Sequence, residues 1–128
     1  MKFAKITLLF ILSSIMSLAI AGDIKPFNQK DFDSLTAAGK PVVLEVAATW
    51  CPVCKQQEPI LHGLMTQPAY KDVTLMTIDF DAEKSTLKKF KVGMQSTLVA
   101  FKGKREVARS IGDTTPAGIE ELIKKAVK

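Results

Sequence analysis

Two spacings of apolar residues alternate along the chain, and they predict an alternation of helices and strands. Asn28, a residue type that caps helices, precedes Phe32 and Leu35, which fall on one helical face. Gly39 ends this first helix. Residues 42–47 (Val-Val-Leu-Glu-Val-Ala) then form a short apolar run between breakers, which is typical of a buried central strand. The carboxylate inside that run is an anomaly.

The next three segments continue this alternation. A helix is predicted over residues 51–65, with Pro59 kinking its interior because proline removes one backbone hydrogen bond. Residues 73–80 form a second apolar strand, and residues 83–90 form a short, lysine-rich helix.

The C-terminal part of the chain predicts a hairpin and a final helix. Residues 97–101 and 105–110 are strands joined by a Lys-Gly-Lys turn, and Gly112 breaks the chain after them. Pro116 begins the last helix. The apolar face of that helix comprises Ile119, Leu122, Ile123 and Ala126. The predicted order is α-β-α-β-α-β-β-α, which is an α/β arrangement with two parallel strands and an antiparallel hairpin in one mixed sheet.

The first 21 residues have the composition of a cleaved signal peptide. Two lysines precede an apolar stretch at residues 8–18, and Ala19-Ile20-Ala21 fits the small-x-small cleavage pattern. An uncleaved membrane anchor is the alternative, but the apolar stretch is short for a bilayer span, which takes ~20 residues. The chain is therefore expected to comprise a signal peptide (1–21) and one domain (22–128).

Composition narrows the possible functions. An exported domain works in an oxidising compartment where disulfides persist, and the lysine-rich leader suggests the bacterial periplasm. The net charge of +5 falls to +3 once the two leader lysines are removed. The remaining lysines are scattered, whereas nucleic acid binding requires a concentrated basic face. No nucleic acid partner is expected.

The only two cysteines occur in the sequence Trp50-Cys51-Pro52-Val53-Cys54. Sulfurs at this spacing can close a small disulfide ring and reopen it, which favours disulfide exchange. An inert structural disulfide and half of a zinc site are the alternatives. A bond across so few residues adds little loop-closure entropy, and zinc needs two further ligands. The spacing therefore predicts a redox pair with no metal and no cofactor.

The chain resembles the thioredoxin superfamily over nearly the whole mature domain, residues 27–127. Residues 44–55 match the strand, the Trp-Cys-x-x-Cys-Lys motif and the start of the following helix. Pro59 falls where the family kinks that helix, and the hairpin and Gly112 also lie at the matching distances. The resemblance implies a thioredoxin-like fold, in which a central mixed β-sheet carries helices on both faces. It also implies a disulfide oxidoreductase activity.

Two residues depart from the family pattern. Ser96 stands where the family has a cis-proline, in the loop that lies against the sulfurs and offers backbone for pairing with a substrate. Because a cis bond before a non-proline residue costs ~2.5–4 kcal/mol, the Gln95–Ser96 bond is expected to be trans. Glu45 stands where thioredoxins usually have a buried aspartate, so its carboxylate extends one methylene further.

The resemblance assigns roles to the pair and its surroundings. Cys51, at the helix N-terminus, is the expected nucleophile, and Cys54, more buried, resolves the mixed disulfide. Glu45 is the expected proton acceptor for Cys54, although its side chain could instead simply reach solvent at the strand end. The expected substrate-binding residues are Trp50, Pro52, Ser96 and Thr97. His62 lies about 12 Å along the helix from Cys54, at ~1.5 Å per residue, and is expected to be a surface or groove residue.

These expectations describe a periplasmic thioredoxin-like reductant of protein disulfides that receives electrons from a membrane thiol relay. The direction of electron transfer, the client, the electron partner and the oligomeric state are left open by the sequence. The alternative is a non-catalytic binding module that holds a metal or a client protein through the two cysteines. Ser96 suggests this alternative, because the loss of the proline ring at that position could expose the sulfurs to a soft metal.

Overall fold

The computed structural model describes residues 21–128, so the predicted signal peptide lies almost entirely outside the described residues. The strands are β1 (Asp23–Pro26), β2 (Pro41–Ala47), β3 (Thr74–Asp79), β4 (Thr97–Lys102) and β5 (Arg105–Ile111). The helices are α1 (Gln29–Ala37), α2 (Pro52–Met65), α3 (Lys84–Lys89) and α4 (Pro116–Val127), and a 3₁₀ turn spans Pro68–Tyr70. Within this range, no helix is both long and apolar enough to cross a bilayer.

One mixed sheet, with strand order β1-β3-β2-β4-β5, forms the centre of the domain. Strand β3 lies parallel to both β1 and β2, whereas β4 is antiparallel to β2 and to β5. The predicted parallel pair and the predicted hairpin are therefore confirmed. Strand β2 lies at the middle of the sheet, which explains why its residues are almost all apolar.

Among the strands of residues 21–128, β1 is the one that the sequence-based prediction missed. It comprises only Asp-Ile-Lys-Pro and lies at the edge of the sheet, where most of its residues are exposed. A short, polar edge strand carries no apolar run or alternation for a pattern to detect. Its position depends instead on pairing with β3 and on the contact of Gly22 N–H with the Met65 carbonyl at 2.8 Å.

The sheet separates two apolar cores, as alternate residues of β2 show. Val43 packs with α2 and α4, and the helical residues of this core include Leu61, Met65, Ile119 and Ile123. Val42, Leu44 and Val46 pack on the other face, where α1 and α3 contribute Phe32 and Leu87. Helices thus cover both faces, as predicted. Because side chains alternate along a strand, Glu45 shares the face of Val43 and points toward α2.

Candidate active site

The turn between β2 and α2 brings the cysteine pair to the start of the helix. Cys51 is the N-cap residue of α2, with extended backbone angles (φ −87°, ψ 108°), and Pro52 is the first helical residue. The Cys51 Sγ accepts a hydrogen bond from the Cys54 backbone N–H at 3.1 Å. A sulfur in this position faces free N–H groups and the positive end of the helix dipole, both of which favour a thiolate.

Cys51 and Cys54 form a disulfide, with Cα atoms 5.3 Å apart. The prediction that Cys54 is the more buried residue is wrong for this oxidised state, because Cys51 is 1% exposed and Cys54 is 4% exposed. In this state the Cys51 sulfur is bonded to Cys54 and accepts its N–H, and apolar side chains pack against both cysteines. Ala47, Val53 and Phe80 pack around this small sulfur cluster.

Glu45 is buried in the centre of the sheet, with only 4% of its surface exposed. Burial, and secondarily the negative charge of Glu58, raises its pKa from 4.5 to about 7. Desolvation penalises the charged form of a carboxyl group, and a nearby like charge adds to that penalty. A group with a pKa near neutrality can accept and release a proton at the pH of most cellular compartments.

A cavity of about 470 Å³ connects Glu45 with Cys54. Glu58 and His62 also line it, and both lie on the face of α2 that carries Cys54, since the three residues are four positions apart. The prediction that His62 is a surface or groove residue agrees with its exposed position at this cavity. Sequence reasoning missed Glu58, although its spacing of four residues from Cys54 was a usable signal.

Trp50 offers an exposed aromatic surface beside the pair, with 54% of its area accessible. Its Nε1 donates to Asp81 Oδ2 at 2.7 Å, and its ring meets Phe80 edge-on at 6.4 Å. Asp79 caps the turn that carries Asp81, because its Oδ1 accepts from the Asp81 N–H at 2.8 Å.

Ser96 and Cys54 both approach the backbone carbonyl of Val46 in β2. Its N–H donates to the Val46 carbonyl at 2.8 Å, and the Cys54 Sγ lies 3.9 Å from the same oxygen. All peptide bonds in residues 21–128 are trans, which confirms the prediction for Gln95–Ser96. The Ser96 φ of +58° is left-handed, a region that serine rarely occupies.

The four predicted substrate-binding residues divide into two pairs by exposure. Trp50 and Pro52 are exposed beside the sulfurs, whereas Ser96 and Thr97 are buried. Thr97 Oγ1 donates to the Met94 carbonyl at 2.7 Å, so its side chain serves the loop. Only backbone atoms of this loop, and exposed neighbours such as Met94, are left to meet a substrate.

The described part of the chain contains no group of three or more His, Cys, Asp or Glu side chains that could hold a metal ion. The two sulfurs would therefore need ligands from outside these residues to complete a tetrahedral site.

A sheet of this topology, with a Cys-x-x-Cys pair capping a helix after the central strand, defines the class of thioredoxin-fold proteins. A family profile for thioredoxin matches residues 23–125. The chain is 35% identical to Thioredoxin-2 of Saccharomyces cerevisiae over 97 residues, covering 75% of this chain and 90% of that protein. It is 34% identical to a thioredoxin of Chlamydia muridarum over 98 residues, covering 77% and 93%.

Solved structures agree with these sequence relatives. The crystal structure of Trxlp from Edwardsiella tarda superimposes with a TM-score of 0.77 at 40% identity, covering 79% of this chain and 98% of that chain. The chain belongs to the thioredoxin family. With its Cys51–Cys54 disulfide, it is a thiol–disulfide oxidoreductase that acts on protein disulfides.

Proposed function

We propose that this oxidoreductase is a periplasmic reductant in which Cys51 attacks and Cys54 resolves. The observation that carries the assignment of roles is the position of Cys51 as N-cap of α2, with its sulfur accepting the Cys54 N–H. Only one of the two sulfurs has this environment, which favours its anion over that of an ordinary thiol.

The reaction then proceeds in two exchange steps. The Cys51 thiolate attacks one sulfur of a client disulfide, which forms a mixed disulfide and releases the other client sulfur as a thiolate. The Cys54 thiolate next attacks Cys51 Sγ, which forms the Cys51–Cys54 disulfide and releases the second client sulfur. Two electrons pass from the enzyme to the client, so the client is reduced and the enzyme is oxidised.

Glu45 accepts the proton that Cys54 must lose before it attacks. Its burial, its pKa of about 7 and the cavity it shares with Cys54 support this role. Glu58 assists by keeping the pKa of Glu45 high enough for the carboxyl group to return the proton in the next cycle.

Clients contact the exposed surface beside the sulfurs. Trp50 and Pro52 supply apolar side-chain contacts, and Met94 extends this surface. Ser96 and Thr97, which are buried, contribute through the main chain of their loop.

The periplasmic location depends on the N-terminal 21 residues. Cleavage after Ala21 would leave Gly22 as the first residue and would retain strand β1, which begins at Asp23. In that oxidising compartment the enzyme needs a source of electrons, and a membrane thiol relay is the class of partner that could supply them. Mass spectrometry of the protein recovered from a periplasmic extract tests the location and the cleavage site. The mass of a chain that begins at Gly22 is expected, and a mass that includes residues 1–21 would contradict cleavage.

Insulin reduction tests the catalytic role directly. The purified domain should reduce insulin with dithiothreitol as electron source, Cys51→Ser should abolish turnover, and Cys54→Ser should accumulate the mixed disulfide.

Metal analysis of the same sample tests the alternative binding module. Stoichiometric metal without turnover would support that module and contradict the reductant.

A further inference from the structure

Gln57 is a buried polar residue that the exchange reaction described above does not use. It lies on α2, three residues after Cys54, and its exposed fraction is 0%. Its neighbour Gln56 is exposed on the same helix. A fully buried glutamine on a core-facing position is unusual, because its amide must be hydrogen-bonded to offset desolvation.

The Gln57 amide connects α2 to two distant loops. Its Nε2 donates to the Ser96 carbonyl at 3.2 Å and to the Asp113 carbonyl at 2.8 Å. Two carbonyl acceptors fix the orientation of the amide, since only the NH₂ group can donate to them. The Gln57 Oε1 is then buried without a hydrogen-bond partner among residues 21–128.

This arrangement contributes little to stability. An unpartnered buried oxygen costs about as much free energy as the two amide hydrogen bonds supply. The Ser96 carbonyl would in any case keep a second donor, the Gly112 N–H at 2.9 Å. An apolar side chain of the same size would therefore fill the space with a similar free energy of folding. What the amide does provide is a fixed position for the Ser96 and Asp113 carbonyls.

The amide completes a series of contacts that begins at the Cys54 sulfur and returns to α2. Cys54 Sγ lies 3.9 Å from the Val46 carbonyl, which accepts the Ser96 N–H at 2.8 Å. The Ser96 carbonyl in turn accepts from Gln57, which is one helical turn from Cys54. Ser96 is thus held at its N–H by Val46 and at its carbonyl by both Gln57 and Gly112. Of these three partners, Gln57 is the one that lies on α2, the helix that Cys51 caps.

Ser96 needs such restraint because its backbone is in a disfavoured region. A φ of +58° in a residue with a Cβ persists only where surrounding contacts enforce it. We propose that Gln57 is a positioning residue for disulfide exchange. It holds the Ser96 loop beside Cys54, so that a protein client meets a backbone surface of fixed position next to the sulfurs. It acts through Ser96 and does not touch the reacting atoms.

The test compares Gln57→Met with Gln56→Met, a matched change on the exposed side of the same helix. For Gln57→Met, kcat/KM for insulin reduction should fall about tenfold, because a shift of the order of 1 Å in a positioned site has effects of this size or larger. The rate with bis(2-hydroxyethyl) disulfide, which needs only the sulfurs, should change less than twofold. Gln56→Met should resemble the unmodified protein with both substrates.

A structural readout accompanies the kinetics. Hydrogen exchange of the Ser96 amide should accelerate at least tenfold in Gln57→Met, while the amide of core residue Leu61 keeps its protection. Equal losses with both disulfides, or no loss with insulin, would overturn the proposal. Gln57→Leu serves as a second variant, and if both variants were unfolded, Gln57 would be a stability residue and the proposal would be wrong.

Discussion

At the scale of single residues, polar groups around the cysteine pair occupy places where apolar ones would pack more easily. Glu45 interrupts the most apolar strand of the sheet, and Ser96 takes a left-handed backbone beside the sulfurs. The sequence made Glu45 conspicuous, because a carboxylate stands out within a buried run. Gln57 was not conspicuous, because its partners are 39 and 56 residues away along the chain.

Replacing Glu45 with glutamine should slow resolution of the mixed disulfide. The amide keeps the size of the side chain but cannot accept the Cys54 proton, and positioned proton transfer contributes about 10²–10⁴-fold to rates. Stopped-flow measurement of the second exchange step should therefore show a loss of at least about tenfold at pH 7. Kinetics unchanged from the parent protein would remove Glu45 from the mechanism.

Glu45 should also make the stability of the protein depend on pH. Its pKa is about 7 in the folded protein against 4.5 for an ordinary glutamate, so the folded state binds more protons between these values. Stability therefore falls as pH rises through this window, by about 3 kcal/mol in total at 1.36 kcal/mol for each pKa unit. Urea unfolding from pH 4 to pH 8 should show this loss in the parent protein and not in Glu45→Gln.

Glu58→Gln tests whether the charge of Glu58 contributes to the raised pKa of Glu45. Removing the like charge should lower the pKa of Glu45 and move the pH at which stability is lost downward. A midpoint that stayed in place would mean that burial alone sets the pKa of Glu45.

Ser96 allows a test of backbone strain. Ser96→Ala and Ser96→Gly both delete the hydroxyl, but only glycine tolerates φ +58° without a penalty. The glycine variant should be the more stable by about 1 kcal/mol, since the left-handed region costs a residue with a Cβ about 1–2 kcal/mol and glycine's freedom in the unfolded chain offsets part of that. Thermal unfolding of the two variants measures the difference. Equal stability would show that the loop relaxes out of the left-handed region.

At the scale of elements, the sequence predicted every α-helix of residues 21–128 and every strand except β1, and it missed the 3₁₀ turn at Pro68–Tyr70. Asn28 and Thr115, which accept hydrogen bonds from Asp31 N–H and Gly118 N–H, cap α1 and α4 at the positions that their residue types indicate. Local signals of this kind are readable because cap, face and breaker lie within a few residues of each other. Strand β1 had no such signal, since only its pairing with β3 makes it a strand.

The position of β1 can be tested through Gly22, which precedes it. A Cβ at Gly22 would lie 2.8 Å from the Tyr70 carbonyl oxygen and 2.9 Å from that of Val73, and backbone atoms cannot easily move away. Gly22→Ala should lower the free energy of unfolding by about 1–3 kcal/mol, the usual cost of overpacking. Urea denaturation gives the value.

The control for that change is Gly63→Ala, on α2. Apart from its chain neighbours and the backbone of its own helix, nothing lies within 4 Å of a Cβ added at Gly63. Alanine there should therefore stabilise the helix by up to about 1 kcal/mol. If Gly22→Ala were as stable as the parent, β1 would not be docked as described.

At the scale of the whole molecule, the fold converts one strand end into a reactive centre. Strand β2 leads into the turn that places Cys51 at the start of α2. Ser96 directly precedes β4, the strand that pairs with β2. The sequence predicted the cysteine pair and its place on a helix. It could not predict that Cys51 is nearly inaccessible in the oxidised state, because that depends on packing of the folded chain around the disulfide.

Because Cys51 caps α2, it should react as a thiolate. The pH dependence of alkylation by iodoacetamide in the reduced protein, with Cys54 replaced by alanine, measures the pKa of the Cys51 thiol. A free thiol has a pKa of about 8.5, and a value clearly below this is expected, with unfolding in urea returning it to the ordinary range. A Cys51 pKa at or above about 8.5 in the folded protein would mean that the helix N-terminus does not activate this thiol.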